Sequence, residues 1–354
     1  MSASVRQELW QKLGAAGLVQ GEVPAAADTP APWYVRVMLG IAGWLGAMFL
    51  LGFVGAGLAF VFRSEAAALV VGALCCGAAY MIFRVGKRND LAAQFGLAVS
   101  LAGQVMFAYG LHEGLTGDGP TFFIAIAIFE AVLAAVIANF VHRVWSSLAA
   151  ALALSYALSG MGLFGVGNAV TAAAVALLWL DEPNWAPRGS MWRPIAYGLV
   201  FAFLLPDGSM FGWYLARDPG DMVILPGIFW VRRAAIGAVL VFVVYRLLTR
   251  DGGASPTMES AALAAAGLVA LTALKAPGVA AALIVLVLGF AGGNRALMGL
   301  GVAALLGYLS QFYYSLQATL LVKSIALAAT GLLLIGLWAA MRFVVGTGEE
   351  ARRA

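Results

Sequence analysis

Charged side chains are scarce in this sequence. Aspartate, glutamate, lysine and arginine together make up 11% of its 354 residues, whereas an ordinary soluble domain carries roughly 25%. Hydrophobic residues account for 63% of the chain, and the mean hydropathy is +0.93. A water-soluble fold has too little interior to hide that much apolar surface. The composition therefore excludes an ordinary soluble domain and indicates a protein embedded in a membrane.

Histidine and cysteine are also rare, which limits the chemistry that the chain can perform. His112 and His142 are the two histidines, too few for a zinc triad or a bis-histidine haem site. Cys75 and Cys76 are adjacent, and because neighbouring cysteines rarely form a relaxed disulfide, we interpret them as small apolar core residues. No phosphate-binding loop or nucleophile elbow is recognisable. We therefore predict no enzyme activity, catalytic residue, metal or cofactor, and neither nucleotide nor nucleic acid as a partner.

Long apolar runs fill the chain from about Val37 to Val345. A helix rises 1.5 Å per residue, so roughly 20 apolar residues cross the ~30 Å hydrocarbon layer of a bilayer. The runs predict an all-α fold, a polytopic transmembrane helical bundle of about 12 spans, with 11 as the lower count. The predicted spans are residues 37–62, 66–83, 91–111, 120–140, 145–163, 166–180, 194–205, 233–248, 259–274, 277–291, 296–313 and 319–345.

The run at 194–205 is the weakest of these, because Pro206 interrupts it after about twelve residues. It can be a short span, a re-entrant segment or half of a broken helix. If it does not cross the membrane, the second half of the chain inverts. The number of spans therefore depends on this one segment.

The remaining segments are short. Residues 1–35 are predicted to form a cytoplasmic amphipathic segment followed by a Pro/Ala linker, because apolar residues recur at nearly one helical turn between Val5 and Leu13 and prolines follow. This polar start predicts no cleavable signal peptide. Residues 36–345 are predicted to be the transmembrane helical domain, and residues 346–354 a short cytoplasmic tail.

Basic residues near span ends are retained in the cytoplasm, so their distribution predicts the orientation. With the N-terminus inside, the cytoplasmic side receives Arg6, Lys12, Arg36, Arg84, Lys87, Arg88, Arg143, Arg188, Arg193, Arg246, Arg250, Arg295, Arg342, Arg352 and Arg353. The outer side receives Arg63, Arg217, Arg232, Arg233, Lys275 and Lys323. This bias predicts an even number of spans with both termini cytoplasmic, and indirectly favours a crossing at 194–205.

Glu130 lies at the centre of the run 120–140, between IAIAIF and AVLAAVIA. A lone charge at such a position costs about 2.5–3.5 kcal/mol even on a lenient insertion scale, and neither surface is within reach. The carboxyl group is therefore expected to be protonated or paired. Two interpretations follow: a proton or cation coupling site, or a carboxyl group that is hydrogen-bonded between helices for packing.

A polar cluster surrounds Lys323, which lies about one turn inside the last predicted span. Its members include Tyr313, Tyr314 and Gln317, where two spans turn around. The cluster is typical of an aromatic belt with capping polar residues at a membrane surface. The alternative is a surface that binds a substrate.

Two segments carry a resemblance to a known family. APGVAAALIVLVLGFAGGN at Ala276–Asn294 and YYSLQATLLVKS at Tyr313–Ser324, together with WLGAMFLLGF from Trp44, resemble bacterial inner-membrane proteins of domain of unknown function 4401. The resemblance covers most of the chain. It implies a multi-span protein of the bacterial cytoplasmic (inner) membrane, but it supplies no activity and therefore no catalytic residue.

Two classes of function remain open. The first is a subunit or scaffold of a membrane complex, with the lipid bilayer and other membrane proteins as partners, since small residues abound and chemical motifs are lacking. The second is a secondary transporter or permease with Glu130 as the coupling site and the Lys323 cluster at the outer mouth. An enzyme acting on lipids ranks third, because paired carboxylates and a reactive histidine beside a basic loop are missing. We favour the first class, because transporters usually place more polar residues near the middle of the membrane.

Overall fold

The structure of the protein is a computed structural model. It describes residues 3–16, 63–85, 90–115, 117, 119–208, 228–251, 256–274, 276 and 278–315, with isolated positions 21, 38, 45, 49, 52, 61, 321, 324, 325 and 328. The described residues are almost entirely helical and include no strand, so the predicted all-α class is confirmed. The predicted spans at 37–62 and 319–345 lie almost wholly outside the described residues.

Twelve α-helices are assigned in the described part of the chain. They are α1 (Ala3–Ala15), α2 (Glu65–Val85), α3 (Asp90–Gly114), α4 (Pro120–Val136), α5 (Phe140–Gly160), α6 (Val166–Leu180), α7 (Glu182–Trp185), α8 (Gly189–Gly208), α9 (Ile228–Asp251), α10 (Pro256–Ala273), α11 (Val279–Ala291) and α12 (Arg295–Ser315). A 3-10 turn, Ala186–Arg188, joins α7 to α8. The chain divides into two compact units, residues 1–110 and 111–354.

In the first unit, α2 and α3 pack with their backbones in close contact. A Cβ atom built on Gly72 would lie 2.6 Å from the backbone nitrogen of Phe107, and one built on Gly103 would lie 2.7 Å from the carbonyl oxygen of Gly72. A third one, on Gly110, would lie 2.7 Å from the carbonyl oxygen of Glu65. Glycine-mediated approach of this kind is typical of helix pairs in membranes.

In the second unit, the long helices alternate in direction, so their connections fall at two ends. One end, called the arginine end below, contains the connections at residues 137–139, 181–188 and 292–294. Arg143 Nη1 donates to the carbonyl oxygen of Ser190 at 3.0 Å, which links the start of α5 to the start of α8. Tyr197 and Asn294 exchange hydrogen bonds of 3.0 and 2.8 Å, which link α8 to the start of α12.

The opposite end of this unit is called the glycine end. Gly165, just before α6, lies against the side chain of Arg232 in α9. The next residue, Arg233, donates to the carbonyl oxygen of Leu274 after α10 at 2.7 Å. The core between the two ends is apolar and contains fully buried residues of α6, α8, α9 and α11, among them Val175, Phe203, Val243 and Ile284.

Several predicted spans differ in length from the helices observed, and two of these differences bear on the site. The run 120–140 ends as a helix at Val136, because residues 137–139 are extended and the Asn139 side chain accepts a hydrogen bond from His142 N at 3.0 Å, which starts α5. In contrast, the short run 194–205 lies within α8, which has 20 residues. A helix of that length measures about 30 Å.

Four described helices are long and apolar enough to cross a membrane. They are Glu65–Val85, Ala92–Gly114, Pro256–Ala273 and Arg295–Tyr314. Three further apolar helices are shorter: Pro120–Val136, Val166–Leu180 and Val279–Ala291. These helices indicate a membrane protein, whereas the count of twelve spans stays a prediction.

Gly278 stands at a tight junction of the glycine end. Its φ angle is +85°, in the left-handed region, and a Cβ atom there would collide with the ring of Tyr308. The hydroxyl group of Tyr308 donates in turn to the carbonyl oxygen of Leu204 in α8. Gly278 therefore lets α12 and α8 meet next to the start of α11.

Replacing Gly278 with alanine is expected to destabilise the fold. The left-handed conformation alone costs about 1–2 kcal/mol for a residue with a Cβ atom, and the collision with Tyr308 adds to that cost. The measurement is thermal unfolding in detergent followed by circular dichroism. The control is Gly299→Ala, at an exposed helical position with open space around it, which is expected to stabilise by up to about 1 kcal/mol. Equal midpoints for the two variants would contradict the role of Gly278.

Candidate functional site

Glu130 lies on α4 and faces α5. Its side chain is buried, with 5% of the residue exposed, and the neighbouring polar side chain is that of Ser146. Neither Glu130 Oε2 nor Ser146 Oγ makes a hydrogen bond of good geometry with any residue that the structure describes. Glu130 is therefore buried beside a serine of the next helix, and both interpretations of it, coupling site and packing contact, stay predictions.

Arg143 lies in the first turn of α5, about one turn beyond the α4–α5 connection, and makes the most hydrogen bonds of the polar side chains nearby. It is 8% exposed. Its guanidinium donates from Nε to the carbonyl oxygen of Ala134 at 3.0 Å, from Nη2 to that of Ala135 at 3.3 Å and from Nη1 to that of Ser190 at 3.0 Å. One side chain thus joins the end of α4, the start of α5 and the start of α8.

These three carbonyl groups have no helical donor, for reasons that the sequence explains. The last four carbonyls of any helix lack a partner within the helix, and α4 ends at Val136, which leaves Ala134 and Ala135 open. Ser190 would normally bond to the amide four residues later, but that residue is Pro194, which has no N–H group. Arg143 therefore satisfies acceptors that would otherwise be buried and unpaired.

The positive charge of Arg143 is not neutralised by a carboxylate of the described residues. All its acceptors are neutral carbonyl groups, although two of them belong to a helix C-terminus, which carries a partial negative charge. The adjacent His142 is 1% exposed. The α4–α5 connection therefore places a positive charge inside the arginine end.

A cavity of about 380 Å³ lies between α4, α5, α6 and α8. Its walls include Ala131, the residue next to Glu130 on α4, and Ala127 and Ala134, which lie about one turn from it, but not Glu130 itself. This cavity is called the alanine cavity below. Ser147 and Thr171 supply the polar atoms of the lining. The volume is in the range of ligand pockets, and the lining is almost wholly aliphatic.

The other predicted site residues lie elsewhere. Lys323 and Gln317 fall outside the described residues. The rings of Tyr313 and Tyr314 in α12 contact each other edge to face at 5.6 Å between centroids, and Tyr314 is 79% exposed. An exposed tyrosine near a helix end agrees with an aromatic belt. Glu130 and these tyrosines are on helices with different packing partners: α4 packs against α5, and α12 against α11.

Arginines at other helix ends act as Arg143 does. Arg250 Nη1 donates to the carbonyl oxygen of Leu180, the last residue of α6, at 3.2 Å. Arg233 makes the equivalent bond beyond the end of α10, to Leu274. Trp185 Nε1 donates a hydrogen bond of 2.6 Å to a further C-terminal carbonyl oxygen of α6, that of Leu178. Helix ends in the second unit are thus closed by side chains from neighbouring elements.

This role of Arg143 was not predicted from the sequence. Its position at a span end indicated an orientation signal, whereas the structure shows a buried residue that donates to three carbonyls. Two local signals were available: Asn139 is a favourable N-cap that ends the preceding run, and Pro194 announces an open carbonyl at Ser190. The donor that bonds to this carbonyl oxygen depends on tertiary packing, so the sequence alone does not predict that it is Arg143.

The described residues contain no group of three or more His, Cys, Asp or Glu side chains that could hold a metal ion. Cys75 and Cys76 form no disulfide in the part of the chain that the structure describes, and the thiol of Cys76 donates to the carbonyl oxygen of Ser100 at 3.8 Å.

Comparison with known proteins gives one match. The family model described as Domain of unknown function (DUF4401) matches residues 32–342, which confirms the resemblance predicted from the sequence. No curated protein and no solved structure matches the chain.

Substitution of Arg143 by lysine is expected to lower the thermal unfolding midpoint. Lysine keeps the charge but cannot reach three carbonyls at once, and hydrogen bonds from a charged donor contribute about 1.5–3 kcal/mol each. The matched control is Arg193→Lys, which loses one exposed contact of 3.5 Å to Glu182 and should change stability by less than about 1 kcal/mol. An Arg143→Lys variant as stable as the control would show that the three bonds are dispensable.

Proposed function

Because the chain belongs to the DUF4401 family, for which no activity is defined, we propose its function from the structure: it is a subunit or scaffold of a membrane complex. The proposal rests on one observation: polar side chains inside the second unit form hydrogen bonds with the backbone of neighbouring helices. Arg143, Ser147 and Tyr308 all donate to backbone carbonyls of α8, a helix other than their own. The polar atoms are thus used to hold helices together rather than to line an aqueous route.

The proposal includes a transmembrane bundle of about twelve spans in the bacterial cytoplasmic membrane, with both termini in the cytoplasm. The direction of α8 supports it. This helix runs from Ser190, at the arginine end, to Leu204, which accepts the bond from Tyr308 at the glycine end. Because it crosses the unit, Arg143 and Arg250 share one end and Arg233 has the other, in agreement with the predicted charge bias.

Helix α10 is the best candidate for contact with a partner. It is the least buried of the four candidate spans, and Ala261, Ala264 and Ala265 are exposed on it. Small residues let a second helix approach closely within a membrane. We therefore place the partner interface on this face of α10.

Cross-linking in native membranes followed by purification is expected to recover a second membrane protein in fixed stoichiometry. Ala265→Trp should remove that protein, because a bulky side chain prevents close helix approach. The control Ala303→Trp, at an exposed position of α12, should retain it. Recovery of the chain alone, or equal recovery of the partner by both variants, would argue against a scaffold that uses α10.

One observation favours the alternative, a secondary transporter with Glu130 as a proton or cation coupling site. Glu130 Oε2 is buried, and no described residue donates a hydrogen bond to it. Structural carboxyl groups are normally hydrogen-bonded, and intramembrane carboxyl groups often carry protons in transporters. Ala131, the next residue along α4, lines the alanine cavity.

The variant Glu130→Gln separates the two functions. For a scaffold, the neutral amide is expected to leave both the complex and the thermal midpoint intact, since no described partner of Oε2 is lost. For a transporter, proton flux into vesicles with an entrapped pH dye would disappear. The control Glu113→Gln replaces a half-exposed carboxyl group and should have no effect. Flux in the wild type that depends on Glu130 alone would replace the scaffold proposal with the transporter.

A further inference from the structure

The lining of the alanine cavity is apolar, and its few polar groups already donate hydrogen bonds. Seven of its 13 lining residues are alanine and four are leucine, isoleucine or valine. The two hydroxyl groups are already used as donors: Ser147 bonds to the carbonyl oxygen of Arg143 at 2.7 Å, and Thr171 to that of Gly167 at 2.9 Å. Cavities of this kind stay free of ordered water and take apolar molecules.

The cavity opens at the side of the second unit. Ala131 is exposed at its rim, and so are Leu154 and Val170, by 41% and 47%. All three residues lie within helices, several residues from the nearest helix end. If the unit is embedded as proposed above, this side faces the hydrocarbon tails, and the apolar molecule that can enter is an acyl chain.

A positive charge lies beyond one end of the cavity. Ala134 and Ala135 line it, and the carbonyl oxygens of both accept hydrogen bonds from the guanidinium of Arg143. The guanidinium uses three of its five N–H groups, all of them on neutral carbonyls, and it has no acidic partner among the described residues. Arg188, at the same end, is exposed. This charge complements an anionic headgroup.

We propose that the alanine cavity binds one acyl chain of an anionic phospholipid, whose phosphate group lies at the arginine end near Arg143. The apolar lining selects the chain, and the unneutralised guanidinium selects the charge of the headgroup. This site is independent of Glu130 and of the partner face on α10. It rests on the proposed membrane location alone.

The test compares two lipids that carry the same photoactivatable acyl chain, phosphatidylglycerol and phosphatidylcholine. The full-length protein is reconstituted in phosphatidylcholine vesicles, floated, irradiated and digested, and labelled peptides of α4, α5 and α6 are counted by mass spectrometry. Phosphatidylglycerol is expected to label them about fivefold more, the ratio that attraction by one basic residue gives. Equal labelling by the two lipids would overturn the headgroup assignment.

A cavity variant tests the acyl chain. Ala131→Leu narrows the exposed mouth without touching the core, and it should remove most of the phosphatidylglycerol label from these peptides. The control Ala303→Leu adds the same bulk on α12, where Ala303 is exposed, and should leave the label unchanged. Labelling that survives Ala131→Leu would disprove the cavity as the site. Protein that does not float with the vesicles would instead refute the membrane location, which is a separate result.

Discussion

The arrangement of the second unit depends on one constraint: carbonyl groups at helix ends must be satisfied even where water is excluded. A buried polar group without a hydrogen bond costs about 1–3 kcal/mol, and each helix leaves four carbonyls open. Arg143, Arg233 and Arg250 each fill such carbonyls from a neighbouring helix. Each of these arginines joins its own helix to one or two others. The bonds that satisfy the helix ends therefore also fix how the helices pack.

This constraint gives the basic residues a second meaning. Arginine and lysine near span ends are usually interpreted as orientation signals. Arg143 fits that count, yet it is buried and bound to three carbonyls. A guanidinium suits this task because its planar fork presents donors in several directions, which an ammonium group cannot do. The two meanings agree, since a cation at a helix C-terminus also interacts favourably with the helix dipole.

The sequence predicted the class of the fold and most helices, because apolar periods and lengths are local properties. The bounds of α6 match the predicted run 166–180. Prediction failed at two helix ends: α4 ends at Val136, because the cap formed by Asn139 was not recognised, and α8 extends to Gly208, past the interruption predicted at Pro206. Glu130 was found as a lone charge in an apolar run. Arg143 was not, since nothing local distinguishes a buried arginine from one at a membrane surface.

Glu130 differs from Arg143, because it satisfies no helix-end carbonyl of the described residues. Its role is therefore the open question about function. Arg143 and Ser147 donate to backbone carbonyls of the neighbouring turns, whereas the polar side chain that acts on the carboxyl group of Glu130 is that of Ser146. The Oε2 atom of Glu130 makes no hydrogen bond of good geometry with a described residue, and burial of a carboxyl group is costly because it loses its hydration. The position of Glu130 on the helix that also lines the alanine cavity is therefore the feature on which the scaffold and the transporter differ.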